Sequence, residues 1–398
     1  MAHGQKLKAD SSSLKAKIIL TVTNDLTYDQ RMQRICTSLS ENGYNVLLVG
    51  RQKKDSIPLQ LYPFRQKRLK MFTQQGKLFY VEYNLRLFFF LLFAKMDAVC
   101  AIDLDTILPC LYASKIKKTR RVYDAHELFT EMKEVVSRPK IHRFWLWVEK
   151  KCVPQFQAGY TVNQFIVDEL QRRYGVEYGI VRNLPVKNYE LRFTNYDLQA
   201  QNADRRPPTA IQQLPSTNFF LYQGAVNEGR GFETLIPAMQ LVNAPLIIVG
   251  DGNFMSEVKR LIAENNVADK VILFGQAEPN LLKTITPQAF AGITIFEDAG
   301  LNQYYSLANR FFDYINGGIP QVCVGYPEYA TINANYDIAL LIPDIKIKTI
   351  ADAMNKLLAD HVLYDRLKNN CDKAAKNLCW EKEQVNLLAF WANVFQDK

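Results

Sequence analysis

A chain of 398 residues, 48 % apolar and 22 % charged, has the composition of a folded protein of about two domains. That balance excludes a disordered or fibrous chain and leaves ample apolar material for two cores. The net charge of +9 is uneven: residues 1–200 carry 32 Lys/Arg against 19 Asp/Glu, and residues 201–398 carry 17 against 21, so the two halves are expected to meet different partners.

After a loose tail over 1–14, IILTVTN reads as a buried strand ending in the turn-forming pair Asn24-Asp25. Met32, Ile35 and Leu39 then recur at helical spacing within 29–42, and Gly43 supplies the stop. NVLLVG (45–50) is a second strand, 77–95 an apolar helix, DAVCAID (97–103) a strand, 106–114 a helix and RRVYDAHE (120–127) another strand. The same alternation restarts at FFLYQG (219–224). It runs through FETLIPAMQ, PLIIVGDG, FMSEVKRLIAENN, VILFG, AGITIF and PQVCVG. Strands alternating with helices predict parallel sheets covered on both faces. The expectation is therefore α/β, with two Rossmann-like doubly wound domains facing across a cleft: 15–190 and 217–378, a linker over 191–216, and a last helix over 379–398. Ligands of such sheets bind outside the carboxyl ends of the strands, so the cleft is the expected site.

Seven cysteines (Cys36, Cys100, Cys110, Cys152, Cys323, Cys371, Cys379) lack C-x-x-C spacing and sit mostly in apolar runs. They read as buried reduced thiols rather than a zinc site. The N-terminus is polar, without the apolar core of a signal peptide, and the run Leu87–Ala94 is too short to span a bilayer. A cytoplasmic chain is expected.

The strand ends carry the chemistry. In SLANRFFDYINGGIPQVCVG (306–325), Ser306 or Asn309 can cap a helix that Gly317-Gly318 end. Its start offers free N–H groups and a positive dipole to a diphosphate, Arg310 adds a cation, and Asp313 can accept from a ribose diol. The competing reading is a surface salt bridge between Arg310 and Asp313. LYQGAVNEGRGFETL sets Gly224, Asn227 and Arg230 on a strand-to-helix loop. GDG (Gly250, Gly252) makes a similar turn but fails the G-x-G-x-x-G fingerprint, with Met at 255, which disfavours a dinucleotide. In the first half, YDAHELF puts Asp124, His126 and Glu127 at a strand end. AIDLDT offers Asp103 and Asp105, either to a divalent metal or as partners of a helix start.

These pieces, in order from about residue 15 to 395, resemble the GT-B fold retaining glycosyltransferases of family 4, the glycosyltransferases group 1 type. TVTNDLTYDQRMQRICTSLSENGYNVLLVG, AIDLDT, YDAHELF, VRNLP, YQGAVNEGRGFETLIPAM, LIIVGDG, SLANRFFDYINGGIPQV and NLCWEKEQVNLLAFWANVF carry the resemblance. It implies transfer of a sugar from a nucleotide-diphosphate donor to an acceptor hydroxyl, with retained configuration and neither metal nor further cofactor. Arg230 matches the basic residue that holds donor phosphate, and Arg310 a basic position of a sub-pattern. Asp313 matches the second Glu of a Glu-x7-Glu pair that grips ribose, and Ser306, Leu307 and Asn309 lie between the two. The chain departs from the pattern at Tyr305, where the first Glu stands, and at Ala225, where an Arg is common. His126 resembles polar residues on the acceptor and sugar side, and Asp103 the acid of a His-Asp pair whose His position holds Ile102. Glu127, Arg31 and the NDLTYD loop, with Asn24, Asp25 and Tyr28, are assigned to the acceptor side.

The implied setting is synthesis of a surface polysaccharide or glycoconjugate. Arg65, Lys67, Arg68, Lys70 and Lys77, beside Phe88, Phe89, Phe90 and Phe93, suggest contact with an anionic membrane surface near a lipid-linked acceptor. The Phe run reads equally as a helix packed against its own sheet. The positive charge comes with no nucleic-acid motif. The alternatives are a catalytically inactive nucleotide-sugar-binding partner or sensor, a nucleotide-sugar epimerase or hydrolase, and a metal-dependent transferase using Asp103 and Asp105.

Overall fold

The computed structural model describes residues 15–27, 29–187, 214–298 and 300–396. The expected tail (1–14), most of the linker and Tyr28 lie outside the described residues.

Short β-branched and apolar runs form two all-parallel sheets. The first has the order β3-β2-β1-β4-β5-β6-β7. Its strands are β1 (Lys17–Thr21), β2 (Asn45–Gln52), β3 (Arg65–Lys70), β4 (Ala98–Ile102), β5 (Arg120–Ala125), β6 (Ala158–Thr161) and β7 (Gly179–Ile180). The second has the order β10-β9-β8-β11-β12-β13. It comprises β8 (Phe220–Gln223), β9 (Leu246–Val249), β10 (Val271–Gly275), β11 (Ala291–Thr294), β12 (Gln321–Val324) and β13 (Ala339–Ile342). β1 pairs with β2 and β4 at once, Ile18 facing both Val46 and Ala98, and β8 sits likewise between β9 and β11. The chain direction across each sheet reverses there, opening a crevice at the carboxyl ends of β1/β4 and of β8/β11. The two crevices face each other.

β3 was not anticipated. Its sequence, RQKRLK, buries only Leu69 and reads as a charged loop, yet it pairs with β2 along six residues. Charge on an edge strand discourages pairing with another chain, which is why this strand lacks apolar alternation. Two positive φ angles end the helices foreseen from glycine: Gly43 at +88° and Gly318 at +68°. All seven cysteines are buried and free.

The helix Trp380–Gln396 leaves the second domain and packs on the first. Trp380, Leu387 and Trp391 share one core cluster with Ile18, Leu20, Ile35 and Leu39. Trp380 Nε1 donates to Ser38 Oγ at 2.9 Å, and its backbone N–H to the Pro185 carbonyl at 2.8 Å. Trp391 is fully buried, but its Nε1 has no hydrogen-bond partner among the described residues, so its contribution is packing alone. Trp391→Ala is expected to cost about 3–5 kcal/mol of first-domain stability by cavity formation. Trp391→Phe should cost far less, because it also removes a buried unpaired donor. Urea denaturation followed by circular dichroism checks both.

Candidate active site

On the second-domain wall, β8 delivers Gln223 and Gly224 to the cleft. The following loop turns through Gly229 (φ +82°) and Gly231 (φ +74°) before the helix Phe232–Ala238, which aims Arg230 inward. Arg230 lies over the Phe296 ring with its Cζ 4.8 Å from the centroid, and Arg310 lies over the same ring at 4.5 Å. Arg310 is 7 % exposed. It donates to Tyr222 Oη and to the Ile295 carbonyl, each at 3.2 Å, while its Nε is buried without a partner. Neither guanidinium is ion-paired among the described residues. Burial, then the Arg310 charge, lower the pKa of Arg230. Two buried like charges side by side make a site that gains from an anion.

The helix Asn309–Asn316 begins behind Arg310, but neither Ser306 nor Asn309 caps it. Ala308 holds the cap position with no side-chain bond, and its N–H donates to Tyr329 Oη at 3.0 Å. Ser306 Oγ lies 3.5 Å from the same hydroxyl. Ser306, Leu307, Asn309 and Arg310 line the cleft. No Arg310–Asp313 salt bridge forms. The two side chains leave the helix toward different neighbours, and Asp313 accepts from Gln223 Nε2 at 3.0 Å. Burial raises the Asp313 carboxyl to about 6, opposed by Arg34, the Gln223 hydrogen bond and Lys283. Gly250 and Gly252 do not line the cleft. A Cβ on Gly250 would stand 1.9 Å from the Gly224 carbonyl oxygen, and one on Gly252 would stand 2.2 Å from that of Val226. These glycines let the β9 turn lie directly against the β8 loop and so position Gly224 and Asn227. Asn227 Oδ1 takes the Asn253 N–H at 3.3 Å.

On the first-domain wall, His126 sits between two carboxylates. Its Nδ1 is 3.4 Å from Asp103 Oδ2 and its Nε2 is 3.2 Å from Asp124 Oδ2. Arg31 Nη2 donates to Asp124 Oδ1 at 2.9 Å and Nη1 to the Val181 carbonyl at 3.0 Å. Asp103 takes φ +54°, a region L-residues rarely adopt. It is held there by its own N–H on the Asp124 carbonyl and by Oδ1 accepting the His126 N–H at 2.9 Å. Burial opposes charge on His126, but Asp124 and Asp103 outweigh it and raise the imidazole to about 9. Asp124 is held low, because Arg31 and His126 overcome its burial. Asp103 is pushed up by burial. Asp105 turns the other way, to Thr23 Oγ1 at 2.5 Å, so the Asp-x-Asp pair does not converge. Among the described residues no cluster of three or more His, Cys, Asp or Glu is disposed to hold a metal ion.

Asn24 and Asp25, assigned to the acceptor side, do not line the cleft. Asn24 Oδ1 accepts the Leu26 N–H and Asp25 Oδ1 the Thr27 N–H, each at 3.0 Å, while Asp25 Oδ2 accepts from Ser56 Oγ at 3.1 Å. They build their own turn. Arg31 and Glu127 do line it.

The walls meet across a cavity of about 460 Å³, next to a further 380 Å³ space that shares Gln223 and Arg310 with it and is also lined by Arg34, Leu282 and Asp313. Several residues that join them escaped the sequence reading. Asn302 Nδ2 donates to Glu127 Oε2 and Asn302 Oδ1 accepts the Leu128 N–H, both at 3.1 Å. Lys133 Nζ reaches Glu228 at 2.8 Å and Glu297 at 3.7 Å. Asn163 Nδ2 donates to the Tyr305 carbonyl at 2.7 Å, and the Tyr305 ring stacks on Phe165. Asn183 Nδ2 donates to Asn309 Oδ1 at 2.7 Å. These partners are far apart in sequence and share no spacing, so no local signal identifies them.

Two parallel-sheet domains meeting over such a cleft define a GT-B protein. Residues 209–377 match the family described as Glycosyl transferases group 1. Among solved structures, sucrose-phosphate synthase from Thermosynechococcus elongatus is similar at TM-score 0.75 and 16 % identity, over 96 % of this chain and 100 % of that one. HepE of Anabaena, in complex with UDP-glucose, is similar at TM-score 0.69 and 11 % identity, over 95 % and 100 %. WaaG, a glycosyltransferase involved in lipopolysaccharide biosynthesis, is similar at 0.63 and 14 %, over 92 % and 99 %. At these identities the likeness is one of fold. No curated protein sequence matched.

The charge on His126 has a measurable consequence. A folded-state pKa of about 9 against an ordinary 6.5 means its stabilisation is complete below about 6.5 and is lost as pH rises through about 9. His126→Gln is expected to remove that alkaline decline from the difference between the two stability-versus-pH curves. Imidazole NMR titration should place the wild-type midpoint well above the ordinary value, and Asp124→Asn should bring it down.

Proposed function

We propose that the chain is a retaining glycosyltransferase that moves a sugar from a nucleotide-diphosphate sugar to an acceptor hydroxyl. The observation that carries this reading is the pair Arg230 and Arg310, stacked on Phe296 with no carboxylate partner among the described residues. Breaking a sugar–phosphate bond develops negative charge on the leaving diphosphate. Two fixed guanidiniums and the amides at the start of the helix Asn309–Asn316 would stabilise it where it forms. Asp313, beside the same floor, would hold the ribose diol. The group 1 match over the second domain and the fold shared with HepE, solved with UDP-glucose, support a nucleotide-sugar donor.

A His126 charged at neutral pH is a hydrogen-bond donor rather than a base. Its place in the reading is to orient the acceptor or the phosphate, with Asp103 fixing the ring. The acceptor hydroxyl then attacks the anomeric carbon from the face the diphosphate leaves, and its proton passes to a leaving-group phosphate oxygen, the course that retains configuration. No cofactor beyond the donor enters this scheme, and a chelator arm tests that. The setting we propose is surface polysaccharide or glycoconjugate synthesis, with WaaG as a fold relative in such a role.

A membrane surface near a lipid-linked acceptor is supported by the helix Gly76–Phe93. It buries Phe79, Tyr83, Leu87 and Leu91 and exposes Leu78, Val81, Leu85, Phe89 and Phe93 along the opposite side. Lys67 lies 5.3 Å over Phe90 from the basic strand β3 alongside. No helix among the described residues is long and apolar enough to cross a membrane, so the contact proposed is peripheral.

Thermal shift with UDP, GDP, ADP, CMP and their common sugars, with and without EDTA, is the first test. One nucleotide should stabilise the chain, by roughly 2.7 kcal/mol at 100 times its dissociation constant, regardless of chelator. Arg230→Ala and Arg310→Ala should each abolish the shift and raise the transfer barrier by about 2.7–4 kcal/mol. Binding without turnover would favour the inactive-partner reading, and donor consumption without acceptor the epimerase or hydrolase. Sedimentation with anionic vesicles at low salt tests the membrane surface: wild type should pellet, and Phe89→Asp with Phe93→Asp should remain in the supernatant.

A further inference from the structure

The resemblance expects a Glu at 305, the first of its Glu-x7-Glu pair, and this chain has Tyr305. Its ring is spent on Phe165 of the opposite domain and its carbonyl on Asn163. A ring committed to stacking supplies no ionised acceptor for a sugar diol. Elsewhere on the second-domain wall, Glu228 and Glu297 are engaged by Lys133.

Glu127 is a carboxylate facing this space from the first domain, on the loop that follows β5. Asn302 orients it, donating to Oε2 while accepting the Leu128 N–H, and Oε1 has no hydrogen bond among the described residues. Glu127 lines the same cavity as Arg230 and Arg310. Burial and the Asp103 charge raise its carboxyl above the usual range, which leaves it able to accept from one hydroxyl and donate to another near neutrality.

We propose that Glu127, oriented by Asn302, binds the hydroxyls of the transferred sugar, standing in from the first domain for the carboxylate missing at position 305. This rests on the glycosyl-transfer reading above and moves Glu127 from the acceptor side to the donor sugar. The two recognition tasks then lie on opposite domains: the second domain holds the nucleotide, and the sugar is gripped only when the first domain is closed over it.

The experiment is calorimetric titration of each nucleoside diphosphate and its nucleotide sugars into wild type, Glu127→Ala, Glu127→Gln and Asn302→Ala. The wild type is expected to bind one nucleotide sugar more tightly than the bare diphosphate. Glu127→Ala should leave diphosphate affinity unchanged and lose on the order of ten- to hundred-fold in affinity for the sugar form, the range of a charged hydrogen bond. Glu127→Gln should keep part of the preference, and Asn302→Ala should weaken it without removing it. Sugar preference intact in Glu127→Ala overturns the proposal. So does an equal loss for diphosphate and sugar form in Glu127→Ala and Asn302→Ala, which would mark the clasp as a closure contact alone. A wild type that binds no diphosphate overturns the glycosyl-transfer reading instead.

Discussion

Two guanidiniums share one phenyl ring at the floor of the cleft, and most of the second domain near them is arranged to keep them there. The Phe296 face and the Tyr222 hydroxyl give Arg310 a cation–π and hydrogen-bonded seat that does not cancel its charge. A carboxylate in either place would have neutralised the pair and removed its use for an anion. The tight glycine stacking of the β9 turn on the β8 loop serves the same end. Gly250 and Gly252 touch no ligand space, yet a side chain on either would displace the backbone of Gly224 and Val226, and with it the loop that carries Arg230.

The first-domain wall solves the opposite problem. Arg31, Asp124, His126 and Asp103 alternate in sign, each within about 3.4 Å of the next. Its charges balance without a ligand, although Arg31 Nε, Asp124 Oδ2 and His126 Nε2 have no hydrogen-bond partner among the described residues, so it is a frame rather than a trap for charge. The strained backbone at Asp103 is supported by that frame: its side chain and its N–H are both bound to the β5 end. A charge-balanced wall then faces a positively charged floor, an arrangement that gains from negative charge placed between them.

The parallel α/β grammar was legible because buried strands read as apolar β-branched runs and the helices keep their period. β3 was not, because an edge strand is selected for charge and hides its alternation. The cleft positions of Arg230, Arg310 and Asp313 were legible because strand-to-helix junctions in this fold open on the crevice. Asn24 and Asp25 look the same in sequence but spend their side chains on their own turn. The Asp103–His126 pairing was half legible: both residues sit at strand ends, but only the β4–β5 register, Ile102 beside Asp124, brings them together. The resemblance looked for a His at position 102, whereas the imidazole that reaches Asp103 comes from the neighbouring strand.

What remained hidden in sequence is everything that depends on the two domains touching. The contacts across the cleft are short polar clasps and one ring stack: Asn302 on the Glu127–Leu128 loop, Lys133 on Glu228 and Glu297, Tyr305 on Phe165. Most of these contacts are part-buried, and each hydrogen bond among them contributes about 0.5–1.5 kcal/mol net, so a small number of contacts holds the closed arrangement. The proposed transfer would need such a cleft to open, to admit a large anionic donor and release a diphosphate. The uneven charge of the chain works in the same direction. A basic first domain and a mildly acidic second attract each other when the cleft is empty, and Lys133 against Glu228 and Glu297 is where that attraction becomes a contact. In the proposed reading, a diphosphate at the floor would replace the repulsion between Arg230 and Arg310 with attraction to one anion. Closure and donor binding would then be electrostatically coupled, with the small contacts at the rim setting the geometry.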